Sequence, residues 1–327
     1  MSDLSLYQRF TEQGTLSDPD EVPNPRFALP STVNWMHALA LLVRERRVNF
    51  GTASAFYGRV EKRTFTPQGE NTIFEQLLFA VHQLSALEAL RTLPCKADVA
   101  RVGIVAWYYG IYAAASAMVA AQDGSFQDDH TGTANAWDRQ FAATGKSMEP
   151  FALRLSSLVE AEYKAELRGL CRVGSFPLTS KPSNSDEALG ACCAYLSGSA
   201  GWWKWKSEES LKGSREFKAL GVTDFRTKAA RELRDTRLRG KSVCFLHQAF
   251  RYRGKANYRE ALFLGHGHYV ETLLVDYIDD LADVLRAFVA MAGAFVAKRL
   301  GAALWEAFLA DLETHRAFQL SPRAVWS

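Results

Sequence analysis

An arginine and a histidine in the C-terminal half of the chain have a spacing that suits chemistry on a phosphodiester. Arg259 and His266 lie seven positions apart. If residues 255–265 are helical, seven positions are about two turns, so the two side chains share one face. A guanidinium can neutralise a phosphate through two hydrogen bonds, and an imidazole can transfer a proton near neutral pH. The spacing therefore predicts a phosphodiester site. In the alternative interpretation, His266 and His268 belong to a polar turn between helices.

The region that precedes this pair is strongly basic. Residues 204–259 contain sixteen Lys and Arg against six Asp and Glu, a net charge of +10, and because the whole chain carries +3 the remainder carries −7. A local excess of this size is typical of a surface that binds a polyanion. Arg231, Arg234 and Arg237 belong to a predicted basic helix over residues 225–238. The alternative is a helical face that is simply solvated.

Three tryptophans alternate with lysines at the start of this region. Such a pattern allows bases to stack on indole rings while ammonium groups hold phosphates. Trp202 and Trp205 are three positions apart on one helical face, which predicts packing in the core. Trp203 is the candidate for a surface role in stacking.

Composition and motifs argue against a secreted protein and against a protein that binds a metal or a nucleotide cofactor. The chain has 327 residues and could form one large domain or two. Its five cysteines include no Cys-x-x-Cys pair, which favours free thiols and a cytoplasmic location. The N-terminus shows no secretory signal pattern. We predict no bound metal and no cofactor, because the sequence has no set of ligands at metal spacing, no P-loop and no GxGxxG after a strand.

Helical periodicity dominates the chain, and alternating strand patterns are almost absent, so the predicted class is all-α. Residues 102–121 contain no charge and are long enough to span a membrane. Their tyrosines and Trp107 lie in the middle rather than at the ends, which favours a buried core helix. Asp123-Gly124 is typical of a helix C-terminus. No membrane association is expected.

Other boundary predictions follow from local signals. Four prolines within residues 17–30 indicate an extended arm, after which Ser31 and Thr32 cap a helix. Asp186 is predicted to cap a later helix. The C-terminal helical pattern over residues 269–315 has a predicted break near Gly293.

Two motifs together resemble those of HEPN domains, a superfamily of helical nucleotide-binding modules. Residues 108–115, Tyr-Tyr-Gly-Ile-Tyr-Ala-Ala-Ala, are similar to the second core helix of that family. The loop that follows carries a histidine in the family, and here His130 begins His-Thr-Gly-Thr-Ala-Asn-Ala-Trp. The resemblance implies a multi-helix bundle of HEPN type.

Later segments extend the resemblance. Residues 253–258, Arg-Gly-Lys-Ala-Asn-Tyr, are similar to a later HEPN helix, with Asn257 where the family often has Asp. Arg259-Glu260, followed by His266 after five further residues, resembles the Arg-polar-His motif of HEPN ribonucleases. By this resemblance Arg259 would stabilise charge on the phosphorus, and His266 would transfer a proton from or to the ribose 2′-hydroxyl. Enzymes of this type need no metal and usually pair two motifs across a dimer.

The resemblance and the charge pattern define the expected organisation. Residues 1–95 form an N-terminal helical region with a proline-rich arm. Residues 96–270 form the HEPN-like core, with a basic insertion at about 175–240, and residues 271–327 form a C-terminal helical extension. The expected RNA-binding side chains are Arg231, Arg234, Arg237, Trp203, Arg253, Lys255, Asn257 and Tyr258.

Two hypotheses about function result. In the first, the protein is a metal-independent endoribonuclease of HEPN type that acts in antiviral defence or as the toxin of a toxin–antitoxin pair, as a homodimer or with a protein partner. In the second, it is a non-catalytic HEPN-like subunit that binds nucleic acid or a protein partner in a defence complex. An α-helical scaffold with a solvated basic face is the third alternative.

Overall fold

The computed structural model describes residues 25–171, 174–257, 261–265 and 270–327. Regular structure in these residues is helical, which confirms the predicted all-α class. Extended backbone pairs at one described position only, an antiparallel bridge between Leu155 and Val243. The α-helices are α1 (Pro25–Glu45), α2 (Phe50–Phe56), α3 (Pro67–Leu90), α4 (Ala100–Asp123), α5 (His130–Trp137), α6 (Glu160–Leu170), α7 (Ser185–Lys212), α8 (Arg215–Ala219), α9 (Lys228–Arg239), α10 (Phe245–Asn257), α11 (Leu262–Gly265), α12 (Val270–Leu274), α13 (Tyr277–Leu300) and α14 (Ala302–His315).

Helix α4 lies at the centre of the molecule, where it packs against α3, α13 and α10. It is the one described helix that is long and apolar enough to cross a membrane, and 78% of its most apolar window is buried inside the protein. The prediction of a buried core helix is therefore confirmed. The helix ends as predicted, because Gly124 adopts a φ of 82° and its N–H donates to the carbonyl of Ala120.

An aromatic cluster joins the N-terminal, central and C-terminal parts of the chain. The Trp35 ring stacks on Tyr195 at 4.0 Å between centroids and meets Trp107 edge-on at 6.0 Å. Phe245, the first residue of α10, lies 5.5 Å from Phe288 of α13. Because buried aromatic rings interlock from several helices, the start of α10 is held rigidly against the core. The predicted domain boundaries remain a prediction.

The extended arm that was predicted up to residue 30 is wrong for its last part. Helix α1 already begins at Pro25 and contains Pro30. The hydroxyls of Ser31 and Thr32 donate to the carbonyl of Ala28, at 3.1 and 2.7 Å, so they lie inside the helix and do not cap it. Burial of the apolar face of α1 outweighs the local cost of the proline.

The predicted cap of α7 is shifted by two residues. Asn184 is the cap, because its backbone is extended and its side chain accepts a hydrogen bond from the N–H of Glu187 at 3.0 Å. Asp186 lies in the first turn instead, where its negative charge interacts favourably with the positive end of the helix dipole.

The predicted break near Gly293 is also wrong, because α13 continues to Leu300. A Cβ atom at Gly293 would lie 2.3 Å from Nε1 of Trp326. That nitrogen donates to the carbonyl of Val289 at 2.9 Å, one turn earlier in the same helix. The glycine therefore admits a tryptophan ring against the helix backbone and does not end the helix.

Candidate nucleic-acid interface

A cavity with a volume of about 440 Å³ opens between α5, α7 and the N-terminus of α10. Cavities of this size hold a small organic ligand or a single nucleotide. Trp203 and Leu158 supply its apolar wall. No carboxylate lines it among the described residues, and its polar wall consists of Thr131, Asn135, Arg139, Lys241, Ser242 and His247.

Local structure positions the α5 side of the cavity. The Asp129 carboxylate accepts a hydrogen bond from the N–H of Gly132 at 2.7 Å, which caps the helix that carries Thr131 and Asn135. After Trp137 the chain continues as a π-helical turn over Asp138–Ala142, which contains Arg139. Such turns are rare in proteins and occur often at functional sites.

The side of the cavity opposite α5 is formed by the segment of residues 240–243, which a buried carboxylate holds in place. Asp138 is 3% exposed and accepts two hydrogen bonds from the Arg154 guanidinium, both at 3.0 Å. It also accepts a hydrogen bond from the Ser242 hydroxyl at 2.6 Å. These contacts pair Asp138 within the protein, and its carboxylate does not line the cavity.

Those cations lie close to one another. The Lys241 ammonium donates to the Ser207 hydroxyl at 3.0 Å, and no carboxylate lies within 4 Å of it in the described part of the chain. Burial lowers the pKa of Lys241, and the nearby charges of Arg237 and Lys206 lower it further. Lys241, Arg237 and Lys206 therefore place positive charge close together at the rim of the cavity.

His247 is held in one tautomer. Its Nδ1 accepts the backbone N–H of Cys244 at 3.3 Å, so the proton resides on Nε2, which donates to Oδ1 of Asn135 at 3.1 Å. Burial lowers the pKa of His247 to about 4, and the imidazole is neutral at physiological pH. The Asn135 amide nitrogen has no partner in the described residues and is free to donate to a ligand.

Cys244, His247 and Asn135 have the connectivity of a thiol, base and amide triad, with the Cys244 sulfur 3.2 Å from Nδ1 of His247. Burial raises the pKa of the Cys244 thiol to about 12, and the residue is fully buried. A protonated and inaccessible thiol is not a nucleophile. The arrangement therefore orients His247 and the N-terminus of α10.

The tryptophans are distributed differently from the prediction. Trp205 is 57% exposed, so its predicted place in the core is wrong. Trp203 is partly buried, packs edge-on against His247 at 5.5 Å and lines the cavity, with an indole N–H that has no partner in the described structure. Lys206 lies over the rings of Trp202 and Trp203, at 5.1 and 5.2 Å. Helix α10 packs against the side of α7 that carries Trp203, and for this reason the Trp203 ring faces the interior.

A second cluster lies beside the cavity, between α4, α5 and α10. One terminal nitrogen of Arg253 is 3.4 Å from both the Tyr109 hydroxyl and Nε2 of His130. The guanidinium carbon lies 5.0 Å from the ring centres of Tyr108 and Phe250. His130, which the HEPN resemblance places in a loop, is the first residue of α5. Burial lowers its pKa, and the positive charge of Arg253 lowers it further, whereas Asp129 raises it.

The three predicted arginines of α9 differ in their environment. Arg234 contacts Asp235 at 2.8 Å and Glu208 at 3.8 Å, so its charge is neutralised within the protein. Arg231 and Arg237 are exposed, and within the described structure no carboxylate lies within 4 Å of either. These two arginines are accessible to a polyanion.

The remaining predicted residues are only partly described. Lys255 is 7% exposed, with Nζ 3.3 Å from the Ser31 hydroxyl, so it lies in the interior and not on the cavity surface. Asn257 is exposed at the last position of α10. The described residues omit Tyr258, Arg259 and His266. The shared face of Arg259 and His266 therefore stays a prediction.

Sequence reasoning missed Lys241, His247, Asn135 and Arg139. A signal was present for one of them, because His247, Phe250 and Arg253 recur every three residues and share one face of α10. Asn135 lies within the segment that carries the HEPN resemblance, but its type and position predict no contact with His247. Pairs this distant in sequence meet only through packing.

Groups of three or more histidine, cysteine or carboxylate side chains placed to hold a metal ion do not occur in the described residues. Comparison of the chain with models of protein families, with curated proteins and with solved structures found no match.

Proposed function

We propose that this protein binds RNA, with the cavity between α5, α7 and α10 as the central contact. The observation that carries the proposal is the composition of the cavity wall: Lys241 and Arg139 carry positive charge there, Trp203 offers an aromatic surface, and no described carboxylate opposes them. Phosphate binding needs cations that are not neutralised within the protein, and base binding favours an aromatic ring.

The surroundings of the cavity support the same function. The exposed Arg231 and Arg237 extend the positive surface along α9, and Lys206 extends it along α7. A strand held at the cavity therefore meets further cations on one side. Affinity that depends on such contacts falls as salt rises, because each neutralised phosphate releases counterions.

Titration of fluorescently labelled single-stranded RNA at several KCl concentrations tests this proposal. The Lys241→Gln variant should bind several-fold more weakly at low salt, with the slope of log affinity against log salt shallower by about 0.7. Lys181→Gln is a matched control, since it removes the same charge from an exposed lysine that pairs with Asp276 outside the cavity. Wild-type protein that binds no RNA at low salt would overturn the proposal.

Endoribonuclease activity is a second candidate. It is favoured by the His130 imidazole, which burial and Arg253 keep in its neutral form beside the cavity, because a neutral imidazole can accept a proton. The pair that the HEPN resemblance implies is Arg259 and His266. A role in antiviral defence or in a toxin–antitoxin pair and the homodimer or protein partner belong to this proposal and rest on the resemblance. A cytoplasmic location is proposed with it, from the five cysteines that include no Cys-x-x-Cys pair.

A further inference from the structure

Arg253 and the side chains around it, Tyr108, Tyr109, His130 and Phe250, form a cluster with the features of an anion-binding site. We refer to it as the Arg253 cluster. The guanidinium carbon of Arg253 lies 5.0 Å from the ring centres of both Tyr108 and Phe250, which are 6.3 Å apart and steeply inclined to each other, so the two rings restrict the position of the planar group before any ligand arrives. No carboxylate lies within 4 Å of it in the residues that the structure describes. Both Nε of Arg253 and Nδ1 of His130 are buried there without a hydrogen-bond partner. A fixed cation without a counter-charge attracts a phosphate.

The acidic groups near this cluster form no ion pair with Arg253 in the described structure. Asp129 precedes His130 and its negative charge raises the pKa of that histidine, while its carboxylate accepts a hydrogen bond from the N–H of Gly132 at 2.7 Å. Asp128 is exposed. The polar groups that do approach Arg253 are the neutral His130 and the Tyr109 hydroxyl, each at 3.4 Å. The cluster therefore keeps its positive charge.

The cluster adjoins the cavity. The centre of the Phe250 ring lies 5.9 Å from that of His130 and 6.2 Å from that of Trp203, so Phe250 packs between the cluster and the cavity wall. Thr131, which follows His130, lines the cavity itself. Along α10, six positions separate His247 from Arg253, which is about 9 Å at 1.5 Å per residue. A stacked strand advances about 3.4 Å per nucleotide, so this distance corresponds to two or three nucleotides.

We propose that Arg253 and Tyr109 form a second subsite, and that the ligand is a single strand of at least two or three nucleotides running along α10. This inference rests on the proposed function. One nucleotide occupies the cavity beside Trp203, and Arg253 binds a phosphate two or three positions along the strand. Tyr109, 39% exposed, lies beside Arg253 and presents its ring to a base. A duplex does not fit this scheme, since its bases are paired with each other and cannot turn into the cavity.

Binding of three probes separates the two subsites: uridine 5′-monophosphate for the cavity alone, a single-stranded octauridylate, and a blunt-ended RNA duplex. Arg253→Gln should weaken octauridylate binding about tenfold, which corresponds to removal of one charge-assisted hydrogen bond, and leave the affinity for the mononucleotide unchanged. Tyr109→Ala, at an exposed position, should weaken octauridylate binding several-fold. Lys241→Gln should weaken both single-nucleotide and strand binding. Arg323→Gln, an exposed arginine paired with Glu306 outside the surface, is the control and should change neither.

Octauridylate binding that is unaffected by both Arg253→Gln and Tyr109→Ala would overturn the second subsite while the proposed function stands. Equal weakening of the mononucleotide and the strand by Arg253→Gln would overturn it as well, as would binding of the duplex as tight as that of the single strand. A wild-type protein that binds no probe would remove the proposed function and this inference together. Thermal melts of each variant establish that the fold is intact.

Discussion

One terminal nitrogen of the Arg253 guanidinium lies 3.4 Å from Nε2 of His130, across a sequence separation of 123 residues. The contact joins the C-terminal half of α10 to the first residue of α5. It keeps a cation and a neutral imidazole side by side, next to a cavity whose described wall contains no carboxylate. The two helices thereby present one basic and aromatic surface.

The exposed arginines of α9 should contribute to RNA affinity and not to stability. Replacing Arg231 and Arg237 together by glutamine should weaken RNA binding and lower the salt slope by about 1.4, or 0.7 for each phosphate that is no longer neutralised. The melting temperature should stay unchanged, because neither side chain has a carboxylate partner within the described structure. Titrations at four salt concentrations and thermal melts measure both quantities.

Arg234→Gln is the matched comparison, because Arg234 pairs with Asp235 and Glu208. That variant should lower the melting temperature and change the salt slope little. RNA binding that survives the double substitution unchanged would mean that α9 presents only a solvated face.

His247 should make stability depend on pH below neutrality. Its folded pKa of about 4 is below the unfolded value of 6.5, so the unfolded chain binds a proton first. The stabilisation is complete above pH 6.5 and is lost as the pH falls towards 4, at a rate of about 1.4 kcal/mol per pH unit and about 3 kcal/mol in total.

Chemical denaturation of wild type and His247→Gln at pH 7.5, 6.0, 5.0 and 4.5 isolates this contribution, because the other titrating groups are common to both proteins. The free energy of unfolding should decline more steeply with acid in the wild type. Parallel curves for the two proteins would show that His247 is protonated inside the fold.

Gly293→Ala should destabilise the protein even though alanine favours helices. The new Cβ would lie 2.3 Å from Nε1 of Trp326, which must move and give up its hydrogen bond to Val289. We expect a decrease of about 1–3 kcal/mol in the free energy of unfolding, as is usual for overpacking. Denaturant titration measures it.

Gly201→Ala is the control, because Gly201 lies within α7 and no neighbouring atom would come within 4 Å of a methyl group added there. This variant should gain up to about 1 kcal/mol from helix propensity. A gain of equal size at Gly293 would contradict the close approach of the Trp326 ring.

Cleavage, if Arg259 and His266 carry it as a unit, should continue in EDTA and yield products that end in 2′,3′-cyclic phosphate, because the ribose 2′-hydroxyl is then the nucleophile. Arg259→Ala and His266→Ala should each abolish cleavage about as fully as the double variant. RNA binding should survive in His266→Ala, since the other cations hold the phosphates. Gel analysis of end-labelled RNA measures the products.

Lys181→Gln serves as the control for cleavage and should cut like wild type. Undiminished cleavage by the double alanine variant would remove Arg259 and His266 from the mechanism. A wild-type protein that binds RNA tightly but cuts none would favour the non-catalytic hypothesis.

Local pattern alone determined the helical class, the buried position of α4 and its end at Gly124. An uncharged run of twenty residues can lie only in a core or a membrane, and a glycine after an aspartate ends a helix through its own backbone freedom. The excess of positive charge over residues 204–259 was equally plain in the sequence.

Tertiary structure alone decided which side chains meet. Trp203 rather than Trp205 turns inward because α10 packs on that side of α7, and Gly293 admits Trp326 from thirty-three residues away. The cavity needs His247 from α10 and Asn135 from α5, joined at 3.1 Å. Helical periodicity specifies which residues share a face, but the partner of that face is chosen by the fit of distant side chains, which no local pattern encodes.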